Sequence, residues 1–184
     1  MTAILAINRN GQTWIASDST LFWGSLKQDI GPKYFVSKGI GIAWTVPTRS
    51  SNIIERRARS YRWKTKKLDY QSVMKFAEWL RDHMLHAGAK KEAGSGDDFP
   101  DHGYLFLLTD GRKIFSINSD SAVVQHRRFF AAGAGQEYCV GVLEALYDIR
   151  GLSTRAIARK AINAAIKWSA WVGGKAHARR IRPS

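Results

Sequence analysis

Cysteine is almost missing from this chain. Its single copy, Cys139, cannot form an internal disulfide, so no disulfide framework supports the fold and a reducing, cytoplasmic compartment is expected. Cys139 falls within an expected helix, where the ordinary role is that of a small buried hydrophobe. Long apolar runs are missing as well. None approaches the ~20 residues that a membrane-spanning helix requires, and no signal peptide precedes Thr2. Acidic residues are the third shortage: 15 Asp and Glu against 29 Lys and Arg give a formal charge of +14. The excess gathers at Arg56, Arg57, Arg59, Arg62, Lys64, Lys66 and Lys67, and in a basic tail over residues 175–184. Such charge suits phosphate contacts, yet Tyr61 and Trp63 within the first run belong to no named nucleic-acid motif. A solvated helix face or an acidic protein partner is the expected use, with nucleic acid second.

Apolar residues, by contrast, suffice for a sizeable core. At 45% hydrophobic, and with no internal linker, residues 1–184 are expected to form one domain. The chain opens with two apolar β-type runs around Asn10 and Gly11, a dipeptide suited to the positive-φ positions of a two-residue hairpin turn. In that register Arg9 faces Gln12, Ile7 faces Trp14 and Ala3 faces Asp18. Residues 21–31 read as loop or irregular strand. Strands over 33–36 and 40–45 are expected to join through Ser37, Lys38 and Gly39. Helices follow over 48–61 and from an Asp69 cap, the second turning Val73, Phe76, Ala77, Leu80 and Met84 inward. Residues 86–102, rich in Gly, Ser and Asp, read as a long flexible loop.

Strands over 104–109 and 112–117 flank Asp110 and Gly111, a second hairpin signal, and 123–132 reads as one further strand. The turn Gly133, Ala134, Gly135 leads into a helix bearing Val140, Leu143 and Leu146. Ser153 caps a last helix between Leu152 and Ile157 as a hydrophobic staple, with Ile157, Ala161, Ala164, Ala165 and Trp168 along one face. Strands, two helices, strands and two helices make an α+β domain in which helix pairs cover antiparallel sheets.

The chemistry gathers where the first hairpin returns to the chain start. Removal of Met1 would leave Thr2 with a free α-amine and a hydroxyl on one residue. Such an amine titrates at about 7.7–8.0 and can take the hydroxyl proton at neutral pH, so nucleophile and base coincide. Asp18 would stand within reach. Lys33 opens a strand after the Gly31, Pro32 turn, and its ammonium would pair with Asp18 and ease formation of the Thr2 alkoxide. A strand-edge threonine or a strand-start lysine alone says little; the ordered set Thr2, Asp18, Lys33 says much more.

With that set the chain resembles the proteasome β-subunit and HslV-like family of N-terminal-nucleophile (Ntn) hydrolases. The likeness runs through Thr2 to Ile7 with Asn10 and Gly11, Ile15 to Asp18, and Lys33 at a strand start. It continues at Gly41 to Thr45, the family's oxyanion strand, at residues 132–135, its Gly-Ser-Gly turn, and at 152–161 along its last long helix. The resemblance implies a four-layer αββα sandwich, two stacked antiparallel sheets between helix layers. It implies a threonine-type endopeptidase subunit of a self-compartmentalising homo-oligomeric ring, acting on unfolded polypeptide or peptide with an ATP-dependent AAA+ unfoldase. Thr2, Asp18 and Lys33 would be catalytic, with the backbone N–H at Ala43 as oxyanion donor. No cofactor is implied, and a metal is left open. The chain departs from the family at Ala134, where relatives carry serine, and over 167–174, which lacks an aspartate that relatives often have. The alternative is a silent or small-amide-acting relative whose basic surface binds nucleic acid or an acidic protein.

Overall fold

The computed structural model describes residues 2–23, 26–45, 55–86, 105–118 and 120–183. Asn10 and Gly11 take φ of 52° and 68°, the left-handed pair that a two-residue hairpin turn demands. They join β1 (Ala3–Arg9) to β2 (Gln12–Ser17) with Arg9 opposite Gln12 and Ile7 opposite Trp14, as expected. Residues 21–31 are more regular than expected. They form most of a separate hairpin, β3 (Thr20–Trp23) and β4 (Leu26–Asp29), with Thr20 opposite Asp29.

A second two-residue turn, Lys38 and Gly39 at φ of 49° and 85°, joins β5 (Tyr34–Ser37) to β6 (Ile40–Thr45). Ser37 is thus a strand residue, paired with Ile40. The link from β7 (Leu105–Thr109) to β8 (Ile114–Ile117) is wider than the Asp-Gly signal suggested, since Thr109 faces Ile114. Asp110 holds it open by accepting the N–H groups of Arg112 and Lys113, each at 2.9 Å, and that of Leu68 at 2.8 Å. The single strand expected over 123–132 is two. β9 (Val123–His126) pairs with β8, whereas β10 (Phe129–Gly133) pairs with β1, so the chain changes sheets at Arg127 and Arg128.

The basic tail is also a strand. β11 (His177–Ile181) pairs with β2, its Ile181 side chain lodged against Gly41 while Arg179 and Arg180 stay exposed. Exposed cations on an edge strand discourage further pairing.

Residues 55–60 are helical, but the first part of the helix expected from Thr48 lies outside the described residues, as does the loop after His86. Three longer helices follow: α1 (Tyr70–His86), α2 (Gln136–Leu146) and α3 (Thr154–Trp168). Asp69 caps α1 through the Ser72 N–H at 2.7 Å, and Ser153 caps α3 through that of Ala156 at 3.2 Å. The Met84 side chain is outside the described set, and Trp168, expected on the inner face of α3, is 64% exposed at its end.

Alternation along β1 divides the core. Leu5 and Ile7 pack under α2 and α3 with Cys139, Leu143, Ile157 and Ala161. Ile4 and Ala6 point the other way, meeting Ala43, Leu107, Ile114 and Ile181 between the two sheets. On the far side of the second sheet, Ile42, Phe106, Leu108 and Phe115 pack on Val73, Phe76 and Leu80 of α1. Sheet β10-β1-β2-β11 and sheet β5-β6-β7-β8-β9 therefore stack between helix layers, the expected αββα sandwich.

The second sheet also carries a part-buried hydroxyl–imidazole contact. The Ser116 hydroxyl lies 2.9 Å from His126 Nε2, and His126 stacks on Phe130 at 4.2 Å. Burial lowers the pKa of His126 from its ordinary value. As pH falls through about 6.5 the unfolded chain takes the proton first, so stability drops until the folded imidazole also titrates. His126→Gln should flatten that acid slope in melting temperatures measured from pH 8 to 5; an unchanged slope would remove His126 as its source.

Candidate active site

The β1–β2 register brings Asp18 back to the head of β1, where its N–H donates to the Ala3 carbonyl at 3.1 Å. Its side chain is fully buried. Lys33 Nζ donates to both carboxylate oxygens at 2.9 Å and to the Thr20 carbonyl at 2.7 Å. Asp18 Oδ1 also accepts the Ala3 N–H at 3.0 Å, while Oδ2 faces the N–H groups of Thr20 and Gly173, both at 3.4 Å. Lys33 itself is fixed through its own N–H, which donates to Ser17 Oγ at 2.9 Å. Burial pulls the pKa of the Lys33 ammonium below its ordinary value, opposed by the charge and hydrogen bonds of Asp18. The two residues expected to pair do so, in a buried and multiply hydrogen-bonded setting.

Thr2 is buried and adjoins Ala3, the residue whose amide holds Asp18. Its carbonyl oxygen lies so close to Gly133 that a Cβ there would collide with it, and Gly133 has φ of 91°. The Gly133, Ala134, Gly135 turn therefore packs directly on the Thr2 backbone.

Residues 169–175 bring no acid to this region, but they do reach it. Ser169, the C-cap of α3, donates from Oγ to the Ala134 carbonyl at 3.2 Å. Gly173 accepts the Ser19 N–H at 3.3 Å, and the Lys175 N–H donates to Ser19 Oγ at 2.9 Å. Ser17, Ser19, Ser169 and Gly173 are supporting positions that the sequence reading passed over. Only the Gly173, Gly174 pair hinted at a close backbone approach, and both glycines do lie against Thr20.

Ala43 is fully buried between the sheets, opposite Tyr34 on one side and Leu107 on the other. A residue paired antiparallel on both sides has its N–H in one of the two ladders. The Ala43 amide is thus engaged within the sheet, which argues against it as oxyanion donor. Thr45, at the end of β6, faces Leu105 and has no β5 residue opposite. Among the described residues, no three His, Cys, Asp or Glu side chains gather as a metal site, and no helix is long and apolar enough to cross a membrane.

Two stacked antiparallel sheets between helix layers, with Thr2 leading into β1 and a buried Asp18–Lys33 pair held by the Ala3 amide, make the four-layer αββα sandwich of the Ntn-hydrolase fold. The family described as Proteasome subunit matches residues 102–179. BPH from Thiobacillus denitrificans superposes with a TM-score of 0.83 at 20% identity, over 99% of this chain and 98% of that one. The same protein in complex with Epoxomicin gives 0.80 at 19% identity, over 99% of each chain. Eukaryotic HslV from Trypanosoma brucei gives 0.72 at 14% identity, over 97% of this chain and 98% of that one. No curated protein matches. Over nearly its whole length the chain shares the fold of BPH and HslV.

Proposed function

We propose that this chain is a threonine-type peptidase subunit of a self-compartmentalising ring, acting through Thr2 once Met1 is removed. The observation that carries the reading is the buried Lys33–Asp18 pair, tied through Asp18 to the amide of the residue after Thr2. The Thr2 amine takes the hydroxyl proton as Oγ attacks a peptide carbonyl, and the Lys33 ammonium offsets the developing alkoxide charge. The tetrahedral oxyanion needs a backbone donor; we place it beyond Ala43, at Thr45 where β6 outruns β5. Collapse passes the proton to the leaving amine and leaves an ester on Thr2, which water then hydrolyses. Exposed nucleophiles in a closed ring would meet only unfolded polypeptide, so an ATP-driven AAA+ unfoldase is the partner and the cytoplasm the compartment that we propose.

A second reading, a silent relative, draws on the absence of a hydroxyl at Ala134 and of an acid in 167–174. Three measurements separate the two. Intact mass should show loss of Met1, fluorogenic peptides should be cleaved, and sedimentation should show a ring. Epoxomicin, bound by the Thiobacillus BPH, is expected to block the cleavage. A chain that begins at Thr2, forms a ring and still cleaves no peptide would favour the silent reading.

A further inference from the structure

The basic, aromatic stretch after residue 55 has no use in peptide hydrolysis, yet it borders a cavity of about 620 Å³. This opening lies between residues 60–65 and the first turns of α1, and none of Thr2, Asp18 or Lys33 lines it. Its size falls in the range of about 300–1,000 Å³ typical of small-molecule sites. The walls include Tyr61, Trp63 and Trp79, which pack together with centroids 4.8 Å (Tyr61–Trp63) and 5.0 Å (Tyr61–Trp79) apart. Trp63 is only 6% exposed, and its Nε1 has no hydrogen-bond partner.

The rim is cationic. Arg62, Lys64 and Lys75 are exposed there, and none forms an ion pair among the described residues. Among the described residues Asp69 is the one carboxylate lining the cavity, and it is occupied in capping α1 through Ser72. Three cations against one carboxylate leave two positive charges in excess. The cations ring one concave opening with aromatic walls, rather than forming the extended stripe that a duplex backbone would track. An aromatic wall and two surplus charges match a planar heterocycle that carries a dianion.

We infer that this cavity binds a nucleoside monophosphate. The base packs along Tyr61 and Trp79, and the phosphate sits among Arg62, Lys64 and Lys75. Isothermal titration of the assembled wild-type protein with AMP and GMP tests this, whatever the outcome at Thr2, because its readout is binding. Saturable binding of at least one nucleotide is expected, with the matching nucleoside and inorganic phosphate alone each about tenfold weaker or worse. Arg62→Ala combined with Lys75→Ala should weaken binding by about tenfold, and added salt should weaken it further. Trp79→Leu, which removes a ring from the aromatic wall, should weaken the nucleotide while leaving the binding of inorganic phosphate alone unchanged. No binding by either nucleotide, or binding indifferent to these three side chains, overturns the inference. Preferential capture of N-acetylphenylalanine over both nucleotides would also overturn it, assigning the cavity to a carboxylate-terminated peptide.

Discussion

Thr2→Ala should abolish peptide hydrolysis and leave the fold standing. The substitution removes a hydroxyl and a methyl at the head of β1, outside the ladder that begins at Ala3 and Ile4. A loss of stability of about 1 kcal/mol or less is expected. Turnover should fall by about 10³-fold or more, because a general base without its nucleophile leaves only binding and oxyanion stabilisation. Thr2→Ser keeps a hydroxyl beside the amine and should retain part of the rate. Single-turnover cleavage of a fluorogenic peptide, with melting curves on chains confirmed by mass to begin at residue 2, reads both effects. Undiminished cleavage in Thr2→Ala would place the nucleophile elsewhere.

Lys33→Ala is expected to damage activity and stability together. It strips the ammonium from a carboxylate that is fully buried, leaving Asp18 with backbone N–H donors and no counter-charge. Breaking a buried pair from one side costs about 3–5 kcal/mol, far more than the net contribution of the intact pair. Protonating Asp18 would relieve that cost, so the stability deficit should shrink as the solution is acidified. Lys33→Met combined with Asp18→Asn separates the two roles. With neither charge present, the double variant should recover much of the stability in urea titrations and none of the hydrolysis. A double variant that cleaved peptide normally would show the pair to be scaffolding alone.

Legibility in the sequence follows the range of the interactions involved. Asn10 and Gly11 fix the first hairpin by local backbone preference, and its register alone carries Asp18 to Ala3. Lys33 was legible for a similar reason, since a Gly-Pro turn sets the start of β5. Features decided by distant partners were not. The break at Arg127 and Arg128 exists because β9 and β10 belong to different sheets, a choice made by β8 and β1. Residues 177–181 read as a charged tail because their pairing with β2 lies far off in sequence and only Ile181 is strongly buried. Ala43 was placed correctly on its strand, but which amides that strand leaves unpaired depends on both neighbours. Ser169 carried no motif at all; its hydroxyl matters only because α3 ends beside the Ala134 turn.

The path of the chain also sets a schedule. A polypeptide is synthesised from its N-terminus, so Thr2 emerges before the segments that pack on it. Its surroundings come late: β10 flanks β1, Gly173 offers its N–H to Asp18, and β11 closes the edge of β2. A nascent chain halted before residue 129 has the threonine, the aspartate and the lysine, but neither the turn that packs on Thr2 nor the segment that closes over Asp18. Thr2 is thus made well before the segments that enclose it. On the proposed function, a copy still on the ribosome would hold Thr2 in an incomplete setting until β10, residues 169–175 and β11 had been made.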